Sequence, residues 1–132
     1  MRRISFNPRF VNKAGNGLIP GKIHTIRQNY DFWKKYEGRE VALFTWEGKP
    51  YRRGSRQKVF CVKRIVSVQE VLFIQKKLDY LHNQFFFSPG VAENVYTMAR
   101  NDGFEWAGIF LRYFADYKPG KMAVLHFTDF RY

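Results

Sequence analysis

The stretch Gly21-Lys22-Ile23-His24-Thr25-Ile26-Arg27 sets a charged, hydroxyl-bearing strand directly after a loop marked by Gly15, Gly17, Pro20 and Gly21. Residues 22–27 read as a strand because β-branched residues dominate them. Side chains alternate along a strand, which puts His24 and Ile26 on one face with Lys22 ahead of them. Ile23, Thr25 and Arg27 take the other face, with Thr25 and Arg27 about 7 Å apart along it. A hydroxyl beside a guanidinium makes an anion or carbonyl site. The same spacing also suits a plain Thr-bearing strand with its charge in water.

Outward from this stretch, residues 4–7 read as a short strand and 30–36 as two helical turns. Asp31 favours the start of those turns and Gly38 stops them. Residues 40–46 form a strand, 48–56 a hairpin loop and 58–68 a longer strand. The apolar residues at 71, 74, 78 and 81 have helical spacing. Equally, a long strand can end there and a short helix follow. Phe85-Phe86-Phe87 reads as a buried strand or apolar turn, and as core rather than a base-stacking platform. Pro89 opens a helical stretch over 91–100, and Gly103 sits where a helix ends. Phe104, Ala107, Phe110, Leu111 and Phe114 mark a second helix, and 122–130 a closing strand. Strands at both ends with helices late give an α+β class, most simply a small mixed β-barrel with helices packed on one side.

The 132 residues fit a single domain, 1–132, with no repeat or linker. Its 14 Phe, 8 Tyr and 3 Trp exclude intrinsic disorder, which needs few aromatics. No apolar run approaches the roughly 20 residues of a membrane-spanning helix. The basic start, Met1-Arg2-Arg3, lacks the apolar stretch of a signal peptide. The lone Cys61 reads as a buried, inert thiol; it excludes an internal disulfide and a Cys-based metal site, and fits a reducing, cytoplasmic setting. His24, His82 and His126 are too scattered for a metal motif, and neither metal nor cofactor is expected. Ser55 and Ser88 lack the context of a nucleophile elbow.

The formal charge is +12, and its placement is uneven. Residues 1–66 hold 16 basic and 4 acidic residues, whereas 67–132 hold 7 of each. Such a field draws phosphate polyanions. The hairpin Lys49-Pro50-Tyr51-Arg52-Arg53-Gly54-Ser55-Arg56 combines four cations, an aromatic ring and a flexible glycine. That composition suits a loop lying along a nucleic-acid backbone through Lys49, Arg52, Arg53 and Arg56. It equally suits a solvated hairpin tip.

Ile4-Ser5-Phe6-Asn7-Pro8, followed by the Lys22-x-x-Thr25-x-Arg27 element, resembles the opening of the ASCH family. Gly38-Arg39-Glu40-Val41-Ala42-Leu43 resembles that family's Gly-Asp strand, with Arg39 where Asp is usual. Val59-Phe60-Cys61-Val62 resembles the strand that follows. Ala99-Arg100-Asn101-Asp102-Gly103-Phe104 resembles its late acidic-Gly-Phe segment, with Asp102 for the usual Glu, and Val124-Leu125-His126-Phe127 its final strand. The resemblance covers nearly the whole chain in order. It implies a PUA-like barrel with a cleft against the helices that binds RNA, a nucleotide or a nucleoside, with Arg27 and His24 as ligand-binding residues. Some small bacterial members are amidohydrolases on N4-acetylated cytidine, and their catalytic Lys, Thr and acid match Lys22, Thr25 and Asp102. The resemblance then implies Thr25 as nucleophile, Lys22 as its base or as the stabiliser of the oxyanion, and the carboxylate as relay of the leaving group's proton. The shorter Asp102 bears on that second role. The charge favours a binding module, because a free nucleoside needs no such field. The oligomeric state is not readable.

Overall fold

The computed structural model describes residues 1–75, 80–87, 91–92 and 94–132. In chain order it contains β1 (Arg3–Ser5), β2 (His24–Gln28), α1 (Tyr30–Lys34), β3 (Glu40–Glu47), β4 (Arg56–Arg64) and β5 (Ser67–Ile74). After these come β6 (Gln84–Phe87), β7 (Val91–Ala92), α2 (Val95–Asn101), α3 (Ala107–Tyr113) and β8 (Gly120–His126). The class is mixed α+β, with two sheets and three short helices. One sheet has the order β1-β3-β4, with β1 parallel to β3; the other is antiparallel with the order β2-β8-β5-β6-β7. Among the described residues no strand pairing joins the two sheets into a closed barrel.

The long strand expected over 58–68 is two strands in different sheets. The chain turns a corner at Ile65, which is fully buried. There the Gly38 N–H donates to the Ile65 carbonyl and Ile65 N–H to that of Arg39, while Val66 N–H already donates to His126. The backbone bonds thus pass from the small sheet to the large one within two residues. Residues 71–74 belong to β5, and helical spacing there is a coincidence. Val71 and Phe73 are buried while Leu72 between them is exposed, a period of two. Phe73 stacks on Phe85 across the β5–β6 pair, 5.1 Å between centroids. The expected continuation over 76–79, and the start at Ser88-Pro89, lie outside the described residues.

The late helices are shorter than their patterns. Asn94, not Pro89, sets the start of α2: its side chain accepts from Tyr96 N–H. Phe104 is core rather than first turn, and α3 begins only at Ala107. Phe110 of α3 and Phe114 at its C-terminal cap pack onto Phe85, which lays that helix over one face of the large sheet. α1 lies against β5 and β8 and buries no residue fully. Cys61 is only half-buried, because β4 has no strand on its far side; burial still pushes its thiol up. β2 is the edge strand of its sheet, so one flank is open to side chains from elsewhere.

Candidate functional site

That open flank of β2 carries the pocket. It is lined by Ser5, Phe6 and Phe10 from the start of the chain, by Lys22, Thr25 and Arg27, and by Asp102, Phe104 and Tyr113 from the helical layer. Its empty space is about 310 Å³ with the open mouth included. Only about 20 Å³ of it admits the centre of a water-sized molecule, so the floor holds a water or two and the mouth must take anything larger. The Lys-x-x-Thr-x-Arg element and the Asp-Gly-Phe segment, some 75 residues apart in sequence, therefore meet.

Lys22 arrives by a route that strand alternation does not describe. β2 starts at His24, and Lys22 closes a turn in which its N–H donates to the Ile19 carbonyl with Gly21 at φ 90°. The turn re-aims Lys22 to the pocket that Thr25 and Arg27 line. Its ammonium donates to the Asp102 carboxylate at 2.9 Å and to the Asp102 carbonyl at 2.7 Å. A third side faces the Phe10 ring, 4.3 Å from the centroid. Burial lowers the Lys22 pKa, against the opposing pull of Asp102. For Asp102, burial acts upward, but the Lys22 charge and His24 together hold the carboxyl below its usual value.

Gly103 makes this meeting possible. It sits at φ +89°, and a Cβ there would lie 3.1 Å from Lys22 Cβ and 3.2 Å from a Phe10 ring carbon. Both conformation and space call for glycine. His24, expected to touch ligand, is fully buried and stands behind Asp102 instead of on the pocket wall. Its Nδ1 lies 3.3 Å from the Asp102 carboxylate and its Nε2 2.5 Å from the Tyr132 hydroxyl. In neutral His24, Nδ1 donates to the carboxylate and Nε2 accepts from Tyr132. Asn101 donates to that same hydroxyl at 3.2 Å. His24 therefore positions Asp102.

Arg27 is the unusual member. Its Nε donates to Thr25 Oγ at 3.3 Å and an Nη donates to the Ser5 carbonyl at 2.6 Å; the guanidinium lies 4.9 Å from the Phe6 centroid. Burial lowers its pKa. Among the described residues no carboxylate lies within ion-pair distance of it. Tyr117 supplies no charge at neutral pH, since burial pushes it up to about 12. With Lys22 matched by Asp102, the pocket keeps one unbalanced positive charge.

Lys49, Arg52, Arg53 and Arg56 are exposed on the β3–β4 hairpin, away from the pocket wall. β1 pairs with β3 as Ser5↔Phe44, so the end of β1 that feeds the pocket points toward this hairpin. His82 and His126 are not brought to the pocket, and no cluster of three metal-ligating side chains occurs among the described residues. No described helix is long and apolar enough to cross a membrane. The sequence reading missed Phe10, Tyr113 and Tyr132. Phe10 and Tyr113 carry no motif signal, and nothing in the spacing of Tyr132 ties it to His24. Comparison of the chain with protein-family models, curated proteins and solved structures finds no match in any of the three.

Proposed function

We propose that the protein is an ASCH-type module, its two sheets the walls of a PUA-like barrel, that binds RNA or a nucleotide at the pocket beside β2. The observation that carries this reading is the half-buried Arg27 guanidinium on the pocket wall, with no carboxylate at ion-pair distance among the described residues. A charge partly withdrawn from water favours a counterion, and a ligand phosphate or pyrimidine carbonyl would supply a further acceptor. Tyr113, exposed at the pocket, offers a ring to a base at the mouth, with the buried Phe6, Phe10 and Phe104 beneath it. The pocket floor has room for little more than a water, so a base would sit at the mouth and not inside it. Lys49, Arg52, Arg53 and Arg56 would hold flanking phosphates. Calorimetric titration with cytidine 5′-monophosphate tests the reading. Arg27→Met should weaken binding roughly 10- to 100-fold, the worth of a charged hydrogen bond; equal affinity in the two proteins would refute it.

A second reading has its own support. Thr25 Oγ accepts from Arg27 Nε in a pocket shared with Lys22, whose proton is loosened by burial. In an amidohydrolase acting on an N4-acylated cytidine, Lys22 in its neutral amine form would take the Thr25 proton as Thr25 Oγ adds to the acyl carbonyl. The C–N4 bond would then break, the amine would leave with that proton, and water would release the acid from the acyl-threonine. Acetate release from N4-acetylcytidine, abolished by Thr25→Ala and partly kept by Thr25→Ser, would establish it. No release from folded protein would leave the binding module alone.

A further inference from the structure

A second recess lies on the other side of β1, lined by Arg2, Arg3, Tyr36, Phe44, Tyr51 and Gln57. It is broad and open, about 990 Å³ with its mouth. Strand β1 gives Ser5 to the pocket and Arg3 to this groove, about 7 Å apart along the chain. No carboxylate lines it. Arg3 donates to the Gln57 side-chain oxygen at 3.0 Å, which leaves the Gln57 amide N–H groups as donors on the groove wall. Arg2 lies over the Phe32 ring at 4.6 Å, part of an aromatic cluster with Trp33 on α1 and Tyr36 just after it.

Tyr51 is the telling residue. It is 90% exposed, yet it holds a left-handed backbone at φ 59°. Tyrosine adopts that conformation at a cost, and no burial offsets it here. Its ring lies 4.9 Å from Trp46, tilted at 55° instead of stacked, and stays open to solvent. Rings with an open face beside arginines are the arrangement on which unpaired bases stack.

We infer that this groove is a binding track for single-stranded nucleic acid, with Tyr51 as the stacking platform and Arg2 and Arg3 as backbone contacts. The inference extends the nucleic-acid reading of the protein but does not use the pocket, so the two fail separately. The experiment is fluorescence anisotropy with a labelled 12-nucleotide oligouridylate, its duplex with oligoadenylate, and polyglutamate as competitor. Tyr51→Gly removes the ring at a position where glycine is unstrained, so the fold should keep its melting temperature. It should weaken oligouridylate binding about tenfold, with Tyr51→Phe unchanged. Arg2→Gln with Arg3→Gln should lower the salt slope by about 0.7 per residue. In an Arg27→Met background, checked for folding, the Tyr51 and Arg2/Arg3 substitutions should keep the size of their effects, whatever Arg27 itself contributes to binding. Wild-type affinity in Tyr51→Gly would overturn the inference. So would equal binding of duplex, or competition by polyglutamate as strong as by unlabelled oligouridylate. Loss of all binding in Arg27→Met alone would put the RNA in the pocket and dismiss the groove.

Discussion

Replacing Asp102 by Asn leaves the Lys22 ammonium, whose side chain is 2% exposed, without its countercharge. Breaking a buried ion pair from one side costs about 3–5 kcal/mol. The Asp102 carbonyl still accepts from Lys22, and the Asn oxygen replaces the carboxylate as a neutral acceptor. That places the loss near the lower end, about 3 kcal/mol. A chain of this length loses roughly 3–4 °C of melting temperature per kcal/mol, so Asp102→Asn should melt about 10 °C lower at pH 7. The deficit should shrink as pH rises. In the variant, burial and the Arg27 and Arg9 charges act on Lys22 without the Asp102 carboxylate to oppose them, and draw its folded pKa further below the unfolded 10.5. Between those two values the unfolded state binds more protons, so stability increases with pH. Adding Lys22→Met to Asp102→Asn should recover most of the loss, because both charges are then gone. Scanning calorimetry at pH 7 and pH 9.5 on the two variants reads all three effects. A single variant that melts within 2 °C of wild type (a limit of about half a kcal/mol) would show that the pair is not holding Lys22 in place.

Acid should destabilise the protein through His126 before the carboxylates respond. Burial, with His24 and Arg131 facing it, lowers His126 to about 4, so it is neutral in the fold while the unfolded chain takes up its proton below 6.5. Stability is full above pH 6.5 and falls toward pH 4; urea midpoints at pH 7.5 and 4.5 should differ, and His126→Leu should flatten the difference. Gly103→Ala should cost about 1–3 kcal/mol in thermal melts, from positive φ and contact with Lys22 and Phe10. Replacing Arg52, Arg53 and Arg56 together by Ala should lower the salt slope of oligonucleotide binding by about 2, against no change if the hairpin is a bare tip.

The sequence made the meeting of Lys22, Thr25, Arg27 and Asp102 legible through two motifs, and the pocket contains all four. What it could not carry was the path. Strand alternation sends Lys22 to the wrong face, because the turn at Gly21 lies outside any strand rule. His24 looked like a ligand contact because it sits inside the motif, yet its partners Asp102 and Tyr132 come from 78 and 108 residues away. The corner at Ile65 was invisible for a similar reason. Residues 58–68 alternate as one strand, and only the bonds from Gly38, Arg39 and His126 break it. Local pattern fixes period; the element that a residue meets is set by the sheet order. The apolar spacing that begins at 71 shows the converse: over 71–74 it falls in a strand whose burial has a period of two.

The central claim is that the unbalanced Arg27 charge receives a ligand. The direct measurement is the NMR signal of the Arg27 Nε–H group, assigned through Arg27→Lys, during titration with cytidine 5′-monophosphate. The nucleotide should move that resonance along a saturable curve, and the movement should be accompanied by shifts of the Thr25 and Phe104 amides. An Arg27 signal that stays fixed at nucleotide concentrations saturating shifts elsewhere in the protein would contradict the claim.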